Sequence, residues 1–142
     1  MLGVLCYNRG TLLRFSMAEQ EKLNLAVLCG GFSGERQISF LSGENVMKYL
    51  DQNKYLVSRI DVVSEEEWHW YGDDGVERTL DLKQAADLEF LRSFQIFFNV
   101  LHGTYGEDGK LQAFLDQLGV SYTGSGATAS TLAIDKVKTM EY

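Results

Sequence analysis

The chain has 142 residues, 45% of them hydrophobic and 23% charged, a balance that suits one soluble globular domain with a sizeable core. Its formal net charge of -7 removes the attraction to phosphates that drives non-specific binding to nucleic acid or anionic membrane, so neither is expected as a partner. Two cysteines, Cys6 and Cys29, give neither a disulfide framework nor a metal motif, and with no proline the fourteen glycines must supply most of the turn chemistry.

Residues 1–22 are read as a disordered extension or a misassigned start. Within Met1–Ser16 the apolar stretches are broken by Asn8, Arg9 and Gly10, and no run is long enough to span a bilayer. From Leu23, LNLAVLC followed by Gly30 and Gly31 reads as a first strand covered on both faces. Arg36 to Leu50 has helical spacing at Ile38, Leu41, Val46, Met47 and Leu50, weakened by Ser42 and Gly43. Tyr55–Val63 is β-branched and alternating, a second strand parallel to the first.

Glu65–Leu80 predicts a hairpin or edge excursion turning at Asp74-Gly75. Asp81–Phe94 reads as a helix and QIFFNVL as a third strand. The next helix carries Leu111, Phe114, Leu115 and Leu118 on one face, with Asp108 placed to cap it and Gly119 to end it. Val120–Thr123 is a short fourth strand, and a last helix is expected from Ala127 to Tyr142. The alternation predicts an α/β fold: an open, mostly parallel, Rossmann-like sheet flanked by helices, with ligands at the carboxyl ends of the strands. The expected division is a substrate-binding α/β domain over 23–134 and the start of a linker helix over 135–142.

Three loops lie at that edge: GGFSGE, LHGTYGEDG and YTGSG. Gly30, Gly31 and Gly34 miss the GxGxxG spacing of dinucleotide sites, and Glu35 stands where a Walker loop needs lysine. A carboxylate fixed there suits a cation such as an amino acid's ammonium. Its alternative is a helix-start acid stabilising the macrodipole by about 0.3–1 kcal/mol. His102 can donate to a carboxylate or share a proton with Glu107, against the alternative of a strand-end histidine satisfied by backbone. No metal site is expected, because His69 and His102 are the two histidines and neither has ligand spacing. Lys136 on the last helix reads equally as a solvated surface lysine.

In order, AVLCGGFSGERQIS, VLHGTYGEDGKLQAFLDQLGVSYTGSG and ASTLAIDK resemble the D-alanine:D-alanine ligase family, whose amino-terminal signatures run GGxSxERxVS, LHGxxGEDGxxQ, YTGSG and DK. The resemblance covers Leu25 to Lys136 and implies the domain that precedes the ATP-grasp region. It implies an ATP-dependent, ADP-forming ligase that activates one D-alanine as an acyl phosphate for attack by a second, in peptidoglycan precursor synthesis. By the same resemblance Glu35 anchors the first D-alanine's ammonium, Ile38 lies beside its methyl group, and His102 and Glu107 sit near its carboxylate. Glu35 and His102 are thereby the catalytic candidates, and Lys136 reaches toward ATP phosphates.

The cofactors implied are ATP and Mg or Mn in the complete enzyme. The implied partners are D-alanine, the ATP-grasp domains or a partner chain carrying them, and a second copy in a homodimer, all cytoplasmic. Gln37, where the family often has a second acid, and Ser121, where it commonly has proline, depart from the pattern. The piece alone is expected to be inactive. Two further readings are a nucleotide-binding oxidoreductase domain and a non-catalytic α/β ligand-binding module.

Overall fold

The computed structural model describes residues 5–8, 11–14, 21–72 and 75–135. Two short strands, β1 (Leu5–Asn8) and β2 (Thr11–Arg14), pair antiparallel as a sheet of their own, from Leu5 opposite Arg14 to Asn8 opposite Thr11. Regular structure therefore occurs within the stretch for which none was expected. Leucine, valine and tyrosine before Asn8-Arg9-Gly10, and threonine, leucine and phenylalanine after it, are the composition of a hairpin, read in the sequence only as an interrupted apolar run.

The main sheet begins at β3 (Leu23–Gly30), followed by α1 (Arg36–Tyr49) and β4 (Tyr55–Val62), which lies parallel to β3. The chain then makes an antiparallel hairpin of β5 (Glu67–Tyr71) and β6 (Glu77–Asp81) on the outer side of β4. Asp74 of the anticipated Asp74-Gly75 turn lies outside the described residues, while Gly75 has φ +77°, the left-handed conformation a tight turn asks of glycine. Next come α2 (Ala85–Arg92), β7 (Ile96–Asn99), α3 (Lys110–Leu118), β8 (Ser121–Tyr122) and α4 (Ala127–Ile134).

The strand order is β6-β5-β4-β3-β7-β8, with β4, β3, β7 and β8 mutually parallel and the hairpin forming the antiparallel edge. Successive β3 residues feed opposite layers. Ala26 and Leu28 join Ile60, Trp68, Phe97 and the α2 and α3 residues Leu91, Leu111 and Leu115; Leu25 and Val27 pack with Val57, the α1 residues Val46 and Met47, and Leu50 just past the helix end. A strand buried on both faces explains why its sequence is a continuous apolar run.

Several boundaries differ from the sequence reading. The second helix begins at Ala85, not Asp81, because Asp81 still pairs with Glu67 while its carboxylate accepts the Lys83 N–H and a Gln84 side-chain N–H, closing a turn. The third strand ends at Asn99, whose side chain then turns the chain by accepting the Leu101 N–H. The fourth strand is Ser121–Tyr122 alone, and the last helix ends at Ile134, with Asp135 already extended where the linker helix was expected to begin; residues 136–142 lie outside the described residues. Ser42 and Gly43, read as weaknesses in α1, lie on its inner side: a Cβ on Gly43 would stand 3.0 Å from Cys29 Cβ, so glycine lets the helix approach β3 closely.

Candidate functional site at the carboxyl edge of the sheet

The carboxyl ends of β3 and β7 are adjacent in the parallel sheet, so the loops that follow them meet. The first leads into α1 through Ser33, Gly34 and Glu35. The second runs from Val100 through His102, Gly103 and Glu107 to α3. Three serines join the two. Ser33 Oγ donates to the His102 carbonyl at 2.8 Å, Ser39 Oγ donates to the Val100 carbonyl at 2.8 Å, and Ser42 Oγ lies 3.2 Å from His102 Nε2.

Glu35 is exposed at the helix start, and its side chain makes no capping hydrogen bond. Its own N–H donates to Ser33 Oγ at 3.2 Å. The carboxylate therefore makes no hydrogen bond to the orphan N–H groups of α1, although its charge at the helix start still favours the macrodipole. It lies beside the second loop, where a Cβ on Gly103 would stand 3.4 Å from Glu35 Oε2 and 3.4 Å from Ser33 Oγ. An alanine methyl at position 103 would stand in van der Waals contact with this carboxylate, and the φ of +71° at Gly103 favours glycine there.

Glu107 turns back on its own loop and accepts the Gly103 N–H at 2.8 Å. The Gly106 carbonyl receives two side-chain amides, Asn99 Nδ2 at 3.0 Å and Gln112 Nε2 at 2.8 Å. Tyr105 holds φ +75°, rare for a side-chain-bearing residue, and is sustained there by burial at 4% exposure and by its N–H bond to Asp108 Oδ2. Burial, with Glu65 and Asp108 nearby, pushes the Tyr105 phenol up to about 12. The Asp108 carboxylate also accepts the Lys110 N–H, but the capping position of α3 is Gly109, with φ +91°.

A cavity of about 340 Å³ opens at the carboxyl ends of β7 and β8, lined by His102, Glu107, Gln112, Thr123, Ser125 and Ser130 among others. Gln112 is 4% exposed, and its Oε1 has no hydrogen-bond partner among the described residues. Thr131 Oγ1 of α4 donates to the Asp108 carbonyl, fastening this last helix against the loop.

Of the residues singled out in the sequence, Glu35, His102 and Glu107 come together. Ile38 is 56% exposed on the first turn of α1, unburied but one turn from Glu35. Lys136 lies outside the described residues. The anchoring set of Ser33, Ser39, Ser42, Asn99 and Gln112 was not anticipated. Its signal was present in α1, where two serines and a glycine at 39, 42 and 43 share the helical spacing of an inward face.

The first Gly-rich loop is no phosphate cradle. A Cβ on Gly30 would stand 2.1 Å from Asp61 Oδ1 and 2.9 Å from Arg36 Nη1, so the protein's own ion pair occupies the space this glycine leaves. Among the described residues no group of three or more His, Cys, Asp or Glu could hold a metal ion, and no helix is long and apolar enough to cross a membrane.

The family model described as "D-ala D-ala ligase N-terminus" matches residues 24–125. The D-alanine–D-alanine ligase of Thermotoga petrophila is 42% identical over 120 residues, covering 84% of this chain and 34% of that protein. Among solved structures, the D-alanine–D-alanine ligase of Coxiella burnetii superposes with a TM-score of 0.68 at 30% identity, covering 85% of this chain and 40% of that one. The Bacillus anthracis enzyme, solved in complex with ATP, gives 0.65 at 29% identity, covering 84% and 34%. The chain spans about a third of the length of the Thermotoga relative it matches. With the family model matching most of the chain, it belongs to the D-alanine–D-alanine ligase family and corresponds to the amino-terminal region of its members.

Proposed function

We propose that this chain forms the amino-acid side of a D-alanine–D-alanine ligase, holding the first D-alanine between the loop before α1 and the loop after β7. Glu35 takes the ammonium, Ile38 borders the methyl group, and His102 faces the carboxylate. Glu107 fixes the shape of the loop that carries His102. The observation that carries this reading is the Glu35 carboxylate, uncapped and exposed, lying against Gly103. An exposed carboxylate with no ion-pair partner among the described residues is an electrostatic match for an ammonium, and pairing it with a desolvated substrate amine would give a charge-assisted hydrogen bond.

Nucleotide chemistry is assigned elsewhere. The described residues offer neither a phosphate cradle nor a magnesium or manganese cluster, so ATP and its metal belong, in this reading, to the part of the relatives' length that this chain does not match. The Bacillus anthracis relative with ATP supports nucleotide use by the complete enzyme. The division proposed is a substrate domain over 23–134, a linker segment from 135 that carries Lys136 toward the phosphates, and ATP-grasp domains in cis or on a partner chain. The complete enzyme is proposed to be a cytoplasmic homodimer.

The test is phosphate release from ATP with D-alanine, measured for the chain alone and for the chain joined to the remainder of the Thermotoga petrophila relative. Turnover by the fusion and none by the chain supports the proposal. Turnover by the chain alone, or an inactive but folded fusion, overturns it.

A further inference from the structure

His102 is anchored twice. Its carbonyl is held by Ser33, and its Nε2 lies 3.2 Å from Ser42 Oγ, sixty residues away in sequence. The Nδ1 atom has no hydrogen-bond partner among the described residues, and the residue lines the cavity at the end of β7. A neutral imidazole has one N–H, and the partner of one nitrogen decides which nitrogen carries it. Ser42 is half-buried, and its hydroxyl has a single partner among the described residues, the His102 ring. Were Nε2 to donate to Ser42 Oγ, the hydroxyl proton would be left in a half-buried place without an acceptor. With Ser42 donating to Nε2, the hydroxyl proton is satisfied, and the one N–H left over, at Nδ1, belongs to a residue that lines the cavity, where solvent or a ligand can accept it.

We propose that Ser42 is a positioning residue that donates to His102 Nε2, fixes the neutral ring as the Nδ1–H tautomer, and makes that N–H the donor offered to a ligand carboxylate. The ligand half rests on the D-alanine reading above; the tautomer half does not. The chemistry is that of an oriented donor. A ring free to exchange tautomers would present a lone pair to the carboxylate part of the time, and an acceptor facing an anion repels it. Ser42 removes that state from the neutral ring.

The experiment uses the whole chain labelled with 15N, read by long-range 1H–15N correlation of the imidazoles at about pH 8.5, where an ordinary imidazole is neutral. His69 is the other histidine, so His69→Gln assigns the pair, and the His69 pattern serves as a fold control in the Ser42 variants. The wild type should show Nδ1 protonated and Nε2 unprotonated at His102. Ser42→Ala, which keeps a strong helix former in α1, should move the two 15N shifts toward each other or exchange them, and Ser42→Thr should restore the wild-type pattern. An Nε2–H ring in the wild type overturns the proposal without any variant, and so does an Nδ1–H pattern that persists in a folded Ser42→Ala. Excess D-alanine should shift Nδ1 in the wild type and less in Ser42→Ala. If the tautomer is as stated but D-alanine leaves the ring unmoved, the ligand half fails and with it the D-alanine reading, while the role of Ser42 in setting the tautomer stands.

Discussion

Arg36 and Asp61 tie the first turn of α1 to the end of β4, with Arg36 Nη2 donating to Asp61 Oδ2 at 2.7 Å. Arg36 Nη1 also donates to the Gly31 carbonyl at 2.8 Å, and the guanidinium lies 4.8 Å from the Phe40 ring centroid. The residue that follows Glu35 thus fixes where the helix starts, and so where the Glu35 carboxylate stands.

Replacing Arg36 by methionine leaves Asp61, only 6% exposed, as a buried carboxylate without its cation. Removing one partner of a fully buried pair costs about 3–5 kcal/mol; with the Arg36 side chain 35% exposed, on the order of 2 kcal/mol is expected here. Thermal unfolding of Arg36→Met should show a fall in Tm of roughly 5–10 °C. A change within one degree would show that the pair does not anchor α1.

Two glycines near the site should respond oppositely to alanine. A Cβ on Gly106 would lie 2.4 Å from Leu101 Cβ and 2.9 Å from the Leu101 carbonyl carbon and oxygen, so backbone must move. It would carry with it the carbonyl on which Asn99 and Gln112 converge. A Cβ on Gly34 meets nothing within 4 Å, and Gly34 has no positive φ. Gly106→Ala should lose at least about 2–3 kcal/mol in urea unfolding, as overpacking against backbone does, while Gly34→Ala should stay within about 0.5 kcal/mol.

The layer order was legible because hydrophobic period is a local signal. Leu25 to Cys29 announce a buried strand by themselves, and Leu111, Phe114, Leu115 and Leu118 a helix face. Motif spacing named Glu35, His102 and Glu107. What sequence could not carry is pairing at a distance: Ser39 with Val100 and Ser42 with His102 are contacts across about sixty residues, made only once β3 and β7 lie side by side. Asp81 was misread for a related reason. Its helical surroundings speak locally, but cross-strand pairing with Glu67 holds it in the sheet.

Alkaline stability should fall in a defined window. Burial raises the Cys29 thiol from 9.0 to about 12 and the Tyr105 phenol from 10.0 to about 12. Above about pH 9 the unfolded chain releases these protons while the folded chain keeps them, so stability present below pH 9 is lost as pH rises toward 12. Urea midpoints should decline across this range, and Cys29→Ala should flatten the first part of the decline. In a Cys6→Ser background the folded protein should resist a thiol reagent at pH 8 that labels it fully once unfolded; rapid labelling of the native state would contradict the burial of Cys29.

The two acids of the site should separate into charge and shape. Glu35 is exposed and makes no capping bond, so Glu35→Gln removes a charge that holds no helix N–H. Glu107, also exposed, holds the Gly103 N–H at 2.8 Å, and Glu107→Gln keeps an oxygen that can accept it. If Glu35 pairs with the substrate ammonium, Glu35→Gln in the active fusion should raise the KM for the first D-alanine by about tenfold or more, the loss of one charge-assisted hydrogen bond, with urea stability lowered by no more than the roughly 1 kcal/mol that a helix-start charge contributes. Glu107→Gln should leave both nearly as they were, whereas Glu107→Ala should free the Gly103 N–H, loosen the loop, and lower turnover together with stability by about 1 kcal/mol. Steady-state kinetics and urea unfolding on the three variants distinguish these roles. An unchanged KM in Glu35→Gln would remove Glu35 from substrate binding, and a Glu107→Gln as impaired as Glu107→Ala would show that the Glu107 charge acts on the substrate itself.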